Sequence, residues 1–231
     1  AYNNGELTNI NTLNSPKIQS IDTKADSKLT QIEGLSDKDQ LEKFEASSKK
    51  IESYDFSKMT KLRSINLIGA SVKEIKGLSA AGTNLTSLDL GSTQISSLDV
   101  TQNTELQKLN LSYVKGITTL DLSNNTRLTE LTTNNSGIRE LKLGSKNGLK
   151  NINVSGSKLS SLDISEAGTI ENIAVGLQTD ATGTNQQIKV TMTQQQKDYF
   201  DSKGIIFTEN MITNNNDKNK PNSNVKVIIK Q

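Results

Sequence analysis

The strongest constraint on this chain is a period. The unit L-x-x-L-x-L, with another apolar residue allowed at each L, begins at Leu41, Ile51, Leu62, Val72, Leu85, Ile95, Leu106, Ile117, Leu128, Ile138, Leu149, Leu159 and Ile170. The steps between starts are 10, 11, 10, 13, 10, 11, 11, 11, 10, 11, 10 and 11 residues, with weaker copies at Ile18 and Leu29. Two such arms form a unit of about 21 residues. Within L-x-L, successive side chains point to opposite sides. Leu88 and Leu90 are therefore expected inside and Asp89 outside. One coil cannot bury two apolar arms alone. Coils stacked at about 4.8 Å would pair their backbones as parallel strands and bury the arms as continuous ladders.

Composition agrees with rows of aliphatic side chains and not with an ordinary core. Only 32% of residues are hydrophobic and 3% aromatic, below what a globular domain of 231 residues uses. The predicted fold class is a repeat solenoid with a parallel β-sheet, mostly β with little helix, plus small terminal caps. The net charge of +2 comes from interspersed lysines and acids. It offers no basic stripe for nucleic acid. The chain has no cysteine, histidine or tryptophan. Thiol catalysis, serine–histidine triads and zinc sites of the usual ligand types are thereby excluded. No cofactor is expected. No apolar run approaches the roughly 20 residues of a membrane span. The polar start, Ala1–Glu6, reads as that of a processed or trimmed chain.

The arms form two series. Series A starts at Leu41, Leu62, Leu85, Leu106, Leu128, Leu149 and Ile170; series B starts at Ile51, Val72, Ile95, Ile117, Ile138 and Leu159. B arms tend to read Leu-Asp-Leu-Ser-x-Asn-Thr, as in Leu120-Asp121-Leu122-Ser123-Asn124-Asn125-Thr126. Such polar runs form turns, because their side chains bond nearby backbone.

This alternation resembles bacterial leucine-rich repeat proteins with nested 21-residue repeats, of the kind secreted by Bacteroidetes and more distantly the internalins. The resemblance covers about residues 41–175. It implies a right-handed superhelix, with A arms on a concave sheet and B arms on the convex side. It also implies an extracytoplasmic bacterial protein, secreted or at the cell surface, and admits a lipoprotein anchored through a removed N-terminal segment. One departure leaves the choice of concave arm open. The A-arm position usually held by Asn carries Lys49, Ala70, Thr93, Val114, Ser136 and Ser157. Hydroxyls of Thr93, Ser136 and Ser157 would be smaller substitutes, and Asn103 and Asn125 hold the equivalent place in B arms.

The expected organisation is an N-terminal cap with a degenerate repeat over 1–40, repeats over 41–175, and a C-terminal cap over 176–231. Core candidates in the first segment are Ile18, Ile21, Leu29, Ile32 and Leu35, with a short helical turn within Ser36–Phe44. In the last, Ile188–Met192 alternates like a strand, Thr193 can cap a helix over Gln194–Ser202 ending at Gly204, and Ile205–Thr208 and Val225–Lys230 read as strands. Asn214–Asn224 reads as a linker. The step of 13 from Val72 to Leu85 places extra residues in Lys76–Thr83, read as a tolerated loop.

The solvent side of the A arms supplies the candidate binding residues: Arg63, Asn66, Ile68, Asp89, Lys108, Asn110, Tyr113, Glu130, Asn134, Lys150 and Asn153. Tyr113 and Arg63 are of the types that dominate interface energies. Too few aromatic rings are present to stack on sugars. On the B arms, Asp55, Lys76, Asp99, Asp121, Lys142 and Asp163 form a column whose lysines relieve carboxylate repulsion. An outer face lacks the water-excluding cleft a catalytic carboxylate pair needs, and no metal site is expected there. The function expected is binding of a protein partner by a monomer. A structural spacer is the alternative. A carbohydrate-active β-helix enzyme is the more distant one, since that fold uses longer coils.

Overall fold

The computed structural model describes residues 6–176, 178–179, 182, 184, 186–205 and 225–230. The seven A arms and the weaker copy at Ile18 build one eight-stranded parallel sheet. Its strands, in spatial and chain order, are Ser20–Thr23, Lys43–Ala46, Ser64–Asn66, Ser87–Asp89, Lys108–Asn110, Glu130–Thr132, Asn151–Asn153 and Asn172–Ala174. Paired residues on successive strands lie 23, 21, 23, 21, 22, 21 and 21 positions apart, which is the length of each coil. The chain is thus a parallel-strand β-solenoid of about eight turns.

The register stacks one aliphatic row inside. Ile21, Phe44, Ile65, Leu88, Leu109, Leu131, Ile152 and Ile173 pair in sequence across the sheet and are all buried. The first residues of the arms, Leu41 to Ile170, form further rows and are buried apart from Ile51, which is partly covered. Each fully buried Leu or Ile contributes about 1.5–3 kcal/mol, so many short side chains replace a large aromatic core. Three aromatics gather in one coil, where Phe44 meets Tyr54 and Phe56 edge-on at 5.1 and 5.3 Å.

The B arms pair only in patches. Asn9–Asn11 joins Gln31–Glu33, Ser53–Asp55 joins Glu74–Lys76, and Thr119–Asp121 joins Glu140–Lys142. The arm containing Leu98 and Val100 forms no strand. The extra residues before Leu85 fold into a helical turn, Leu78–Ala81, followed by a 3-10 turn, Gly82–Asn84. Leu78 and Ala81 enter the core, so the insertion is packed and not a free loop.

Two buried polar ladders close the turns. After the B arms, Asn103 donates to the carbonyls of Leu78 and Gly82, and Asn125 to those of Val100 and Asn103. Lys146 holds the next place and donates to Leu122 O, 2.8 Å away. The amide ladder therefore runs through the B turns. After the A arms, Ser157 bonds Thr133 O at 2.7 Å and approaches Ser136 Oγ at 3.2 Å, and Gln178 continues the row through Val154 O and Val175 O.

Beyond the repeats lie the expected strand Ile188–Met192 and helix Gln194–Ser202. Thr193 caps the helix reciprocally with Gln196. The amide of Gln196 also donates to Ile164 O and Ala167 O, at 2.8 and 2.6 Å. Those carbonyls correspond to the pair that Asn125 takes three coils earlier, so the helix docks by supplying a further rung of the ladder. Phe200 plugs the end of the core. Strand Val225–Ile229 pairs with Ile188–Met192, which pairs with Ser161–Asp163. Residues 206–208 of the strand expected over Ile205–Thr208, and the linker over 214–224, lie outside the described residues. Near the N-terminus, Leu35–Asp37 forms the short 3-10 turn, Ile21 and Leu29 are buried, and Ile18, Ile32 and Leu35 pack partly against the core.

Candidate functional site

All eleven candidate residues lie on five adjacent strands of the continuous sheet, Ser64–Asn66 to Asn151–Asn153, or immediately beside those strands. At about 4.8 Å per strand the set spans roughly 20 Å. Asp89, Lys108, Asn110 and Glu130 are gathered with Ser87 and Thr132 around a shallow concavity of about 280 Å³. Asn153 lines a neighbouring hollow of about 370 Å³ with Asn151, Asn172 and Ile205. Arg63 and Lys150 sit before their strands; Ile68, Tyr113 and Asn134 sit in the turns after them. The structure therefore spreads the candidates over a face with two rims and not into one pocket.

The charges on this face pair across adjacent coils. Lys108 Nζ lies 2.8 Å from Glu130, Lys150 Nζ 2.8 Å from Glu171, and Arg63 Nε 3.8 Å from Glu42. Such exposed pairs are worth about 0–1 kcal/mol each. They balance the surface more than they stabilise it.

At the strand ends, carboxyl and amide side chains turn back onto the chain. Asn66, Asp89, Asn110 and Asn153 accept the N–H groups of Ile68, Gly91, Ser112 and Ser155, two residues on, at 2.9–3.1 Å. These Asx turns fix the strand-to-turn geometry. Two, Asp89 and Asn110, are also linked sideways. Asn110 Nδ2 donates to Asp89 Oδ1 at 2.9 Å, and Ser112 Oγ lies in hydrogen-bond range of Asn110 Oδ1 and 2.7 Å from the Asn134 amide. Ser112 has one hydroxyl proton. If it serves Asn110, the Asn134 amide must present its NH₂ to Ser112. Donors then run from Asn134 through Ser112 and Asn110 to the Asp89 carboxylate.

One residue later, Gly69, Ser92, Tyr113, Asn135 and Gly156 form a column of left-handed backbone, with φ of 71, 59, 63, 54 and 65°. Each donates its N–H to the next coil, to the carbonyls of Gly91, Ser112, Asn134, Ser155 and Gly176. Glycine and asparagine suit this conformation; a bulky side chain does not. Tyr113 nevertheless occupies it, with the side chain 54% exposed. The glycines eight residues into two A arms were the sequence signal for this column. Ser112 and Lys146 were not singled out from the sequence, although both sit at repeat positions.

On the opposite face the aspartates act within turns. Asp55 accepts the N–H and hydroxyl of Ser57, and Asp99 those of Thr101. The hydroxyl bonds, and then the N–H bonds, hold both carboxyls below the ordinary range. Asp121 pairs with Lys142 at 3.1 Å. Among the described residues no three His, Cys, Asp or Glu side chains gather as metal ligands, and no helix is long and apolar enough to cross a membrane.

Comparison with known proteins finds no matching family model and no matching curated protein. Among solved structures, a leucine-rich repeat protein of Leptospira interrogans matches 64% of this chain with TM-score 0.50 and 18% identity. The chain has the leucine-rich repeat fold. The match spans 44% of the Leptospira protein, so this chain corresponds to less than half of it. The functional domain of InlJ from Listeria monocytogenes, which includes a cysteine ladder, matches 77% of the chain and 58% of its own at 16% identity and TM-score 0.39. An internalin of the same species, InlF, matches 89% and 82% at 15% identity and TM-score 0.33.

Proposed function

We propose that this leucine-rich repeat chain is an extracytoplasmic, monomeric binding protein. It recognises another protein through the continuous sheet, with Tyr113 as the anchor. The observation that carries the reading is the left-handed backbone at Tyr113. Its column is otherwise Gly, Ser, Asn and Gly. A tyrosine held there against its own conformational preference and displayed to solvent has a use outside folding. The ordered hydrogen-bond chain beside it presents a surface that loses little freedom on binding. The resemblance of the repeats to those of secreted bacterial leucine-rich repeat proteins supports a location outside the cytoplasm, at the surface or secreted.

The test is capture of a partner by the full chain, identification of that partner, and titration of the pure partner by calorimetry. Tyr113→Ala together with Arg63→Ala should weaken the titrated interaction by at least about tenfold. A partner that binds the double variant as it binds the parent would place recognition on another face. A spacer without a ligand is the second reading, favoured by the mutual pairing of Lys108–Glu130 and Lys150–Glu171. It requires that no captured protein titrates at all.

A further inference from the structure

We infer that Asp89 is the receptor for a basic side chain, lysine or arginine, of the protein partner. This rests on the sheet-face reading and names the chemistry of what docks there.

Asp89 is the exception in the charge layout. Asp22 and Glu45 meet Lys24, Glu45 also meets Lys43, Glu42 meets Arg63, Glu130 meets Lys108, and Glu171 meets Lys150. Among the described residues Asp89 alone on this sheet has no cation. Lys108, on the next strand, is engaged by Glu130 one strand further. The neutral donors that Asp89 does have, Gly91 N–H at 3.0 Å and Asn110 Nδ2 at 2.9 Å, both reach Oδ1. They orient the carboxylate without cancelling its charge. Oδ2 has no donor among the described residues and is not shut away from solvent.

The surroundings suit an amphipathic side chain. A Cβ added at Gly91 would lie 3.3 Å from Asp89 Oδ1 and 3.4 Å from Ile68 Cγ1. Asn110 Nδ2 would lie nearer still, at 3.1 Å, so the three side chains close over the glycine, and the carboxylate stands beside the 45% exposed isoleucine. Lysine and arginine lay an aliphatic stem on apolar surface and place the charged head on an anion. A charge-assisted bond to a carboxylate already fixed in place is stronger than a neutral one. The concavity around Ser87, Lys108 and Thr132 gives room for the flanking chain.

The experiment selects binders from a phage-displayed library of random dodecapeptides on the full chain, then titrates the selected peptides by fluorescence anisotropy. The expected result is one fixed Lys or Arg, affinity that falls with added salt, and a loss of about tenfold or more on Asp89→Asn. That variant keeps the acceptor for Gly91 N–H. Glu52→Gln, on the other series of arms and paired with Lys73 at 2.6 Å, should change affinity by less than about twofold. Peptides without a fixed basic residue, or with equal affinity for Asp89→Asn, overturn the assignment. If Tyr113→Ala abolishes binding while Asp89→Asn does not, the sheet-face reading stands and the basic receptor falls. Peptides indifferent to both variants, or a library that yields no binder, overturn both.

Discussion

The ammonium of Lys146 donates to the carbonyl of Leu122 across 2.8 Å, from inside the core, one coil beyond Asn125. Leu143 O is a second acceptor. A lysine thus does what an amide does on the two preceding coils, while carrying a charge. Burial lowers its pKa from 10.5 to about 8, although Asp121 acts weakly in the other direction.

The sign of the resulting pH dependence is definite. Between pH 8 and 10.5 the unfolded chain holds a proton on this amine that the folded chain has released, so stability rises with pH across that window. The slope is at most about 1.4 kcal/mol per pH unit. Tyr54, whose phenol burial pushes up, acts oppositely only above pH 10, where the unfolded chain would ionise. Urea melts from pH 7 to 9.5 should therefore show a rise that Lys146→Met lacks. Parallel profiles for the two proteins would refute it.

At Tyr113, stability and function should part. Tyr113→Gly relieves the left-handed backbone, whereas Tyr113→Ala removes the ring and keeps the strain. The glycine variant should be the more stable of the two by about 1 kcal/mol, or some 2–4 °C in Tm for a chain of this size. Both should lose the partner. A calorimetric scan in which alanine matches or exceeds glycine would mean that the turn tolerates side chains freely.

The cap gives a less intuitive expectation. Glutamate is as good as glutamine at the third position of a capping box, and Gln196→Glu keeps an acceptor for Thr193 N–H. It removes both donors to Ile164 O and Ala167 O and sets a carboxylate against them. The variant should be destabilised by about 1–3 kcal/mol, with the helix Gln194–Ser202 cleaved by protease before the repeats. Unchanged denaturation would show that the helix is held without the Gln196 bonds.

Acid should act through the aspartate turns. Asp55 and Asp99 have folded pKa values below the ordinary 3.8. Their contribution is present above that value and disappears as pH falls through the lowered ones. The double variant Asp55→Ala, Asp99→Ala should lose less stability than the parent between pH 5 and 2. A larger loss in the variant would contradict this account of the B turns.

Much of the architecture was legible because it depends on alternation. Leu88, Leu109, Leu131 and Ile152 had to face inward once their strands were in register, and each position follows from counting. Strand continuity on the other side did not follow from counting. Leu98–Val100 matches Leu120–Leu122 in pattern yet forms no strand. The packed turn Leu78–Ala81 lies in the coil before it. Lys146 reads as a surface residue by hydropathy. Its place nine residues into an arm, like Asn125, carried the correct signal. The candidate face was visible as outward positions, but the isolation of Asp89 was not. It depends on which cation chooses which carboxylate, and that is decided in three dimensions.

The inequality of the two sides has a mechanical consequence. Where the A strands are laced without interruption, adjacent coils cannot separate without breaking a ladder. Across the seams between Glu33 and Ser53, Lys76 and Thr119, and Lys142 and Ser161, side-chain packing carries most of the load. Thermal flexing should concentrate at those seams, leaving the laced side as a nearly inextensible ribbon. Whatever rests on that ribbon would keep constant spacing between its contacts while the back of the molecule gives.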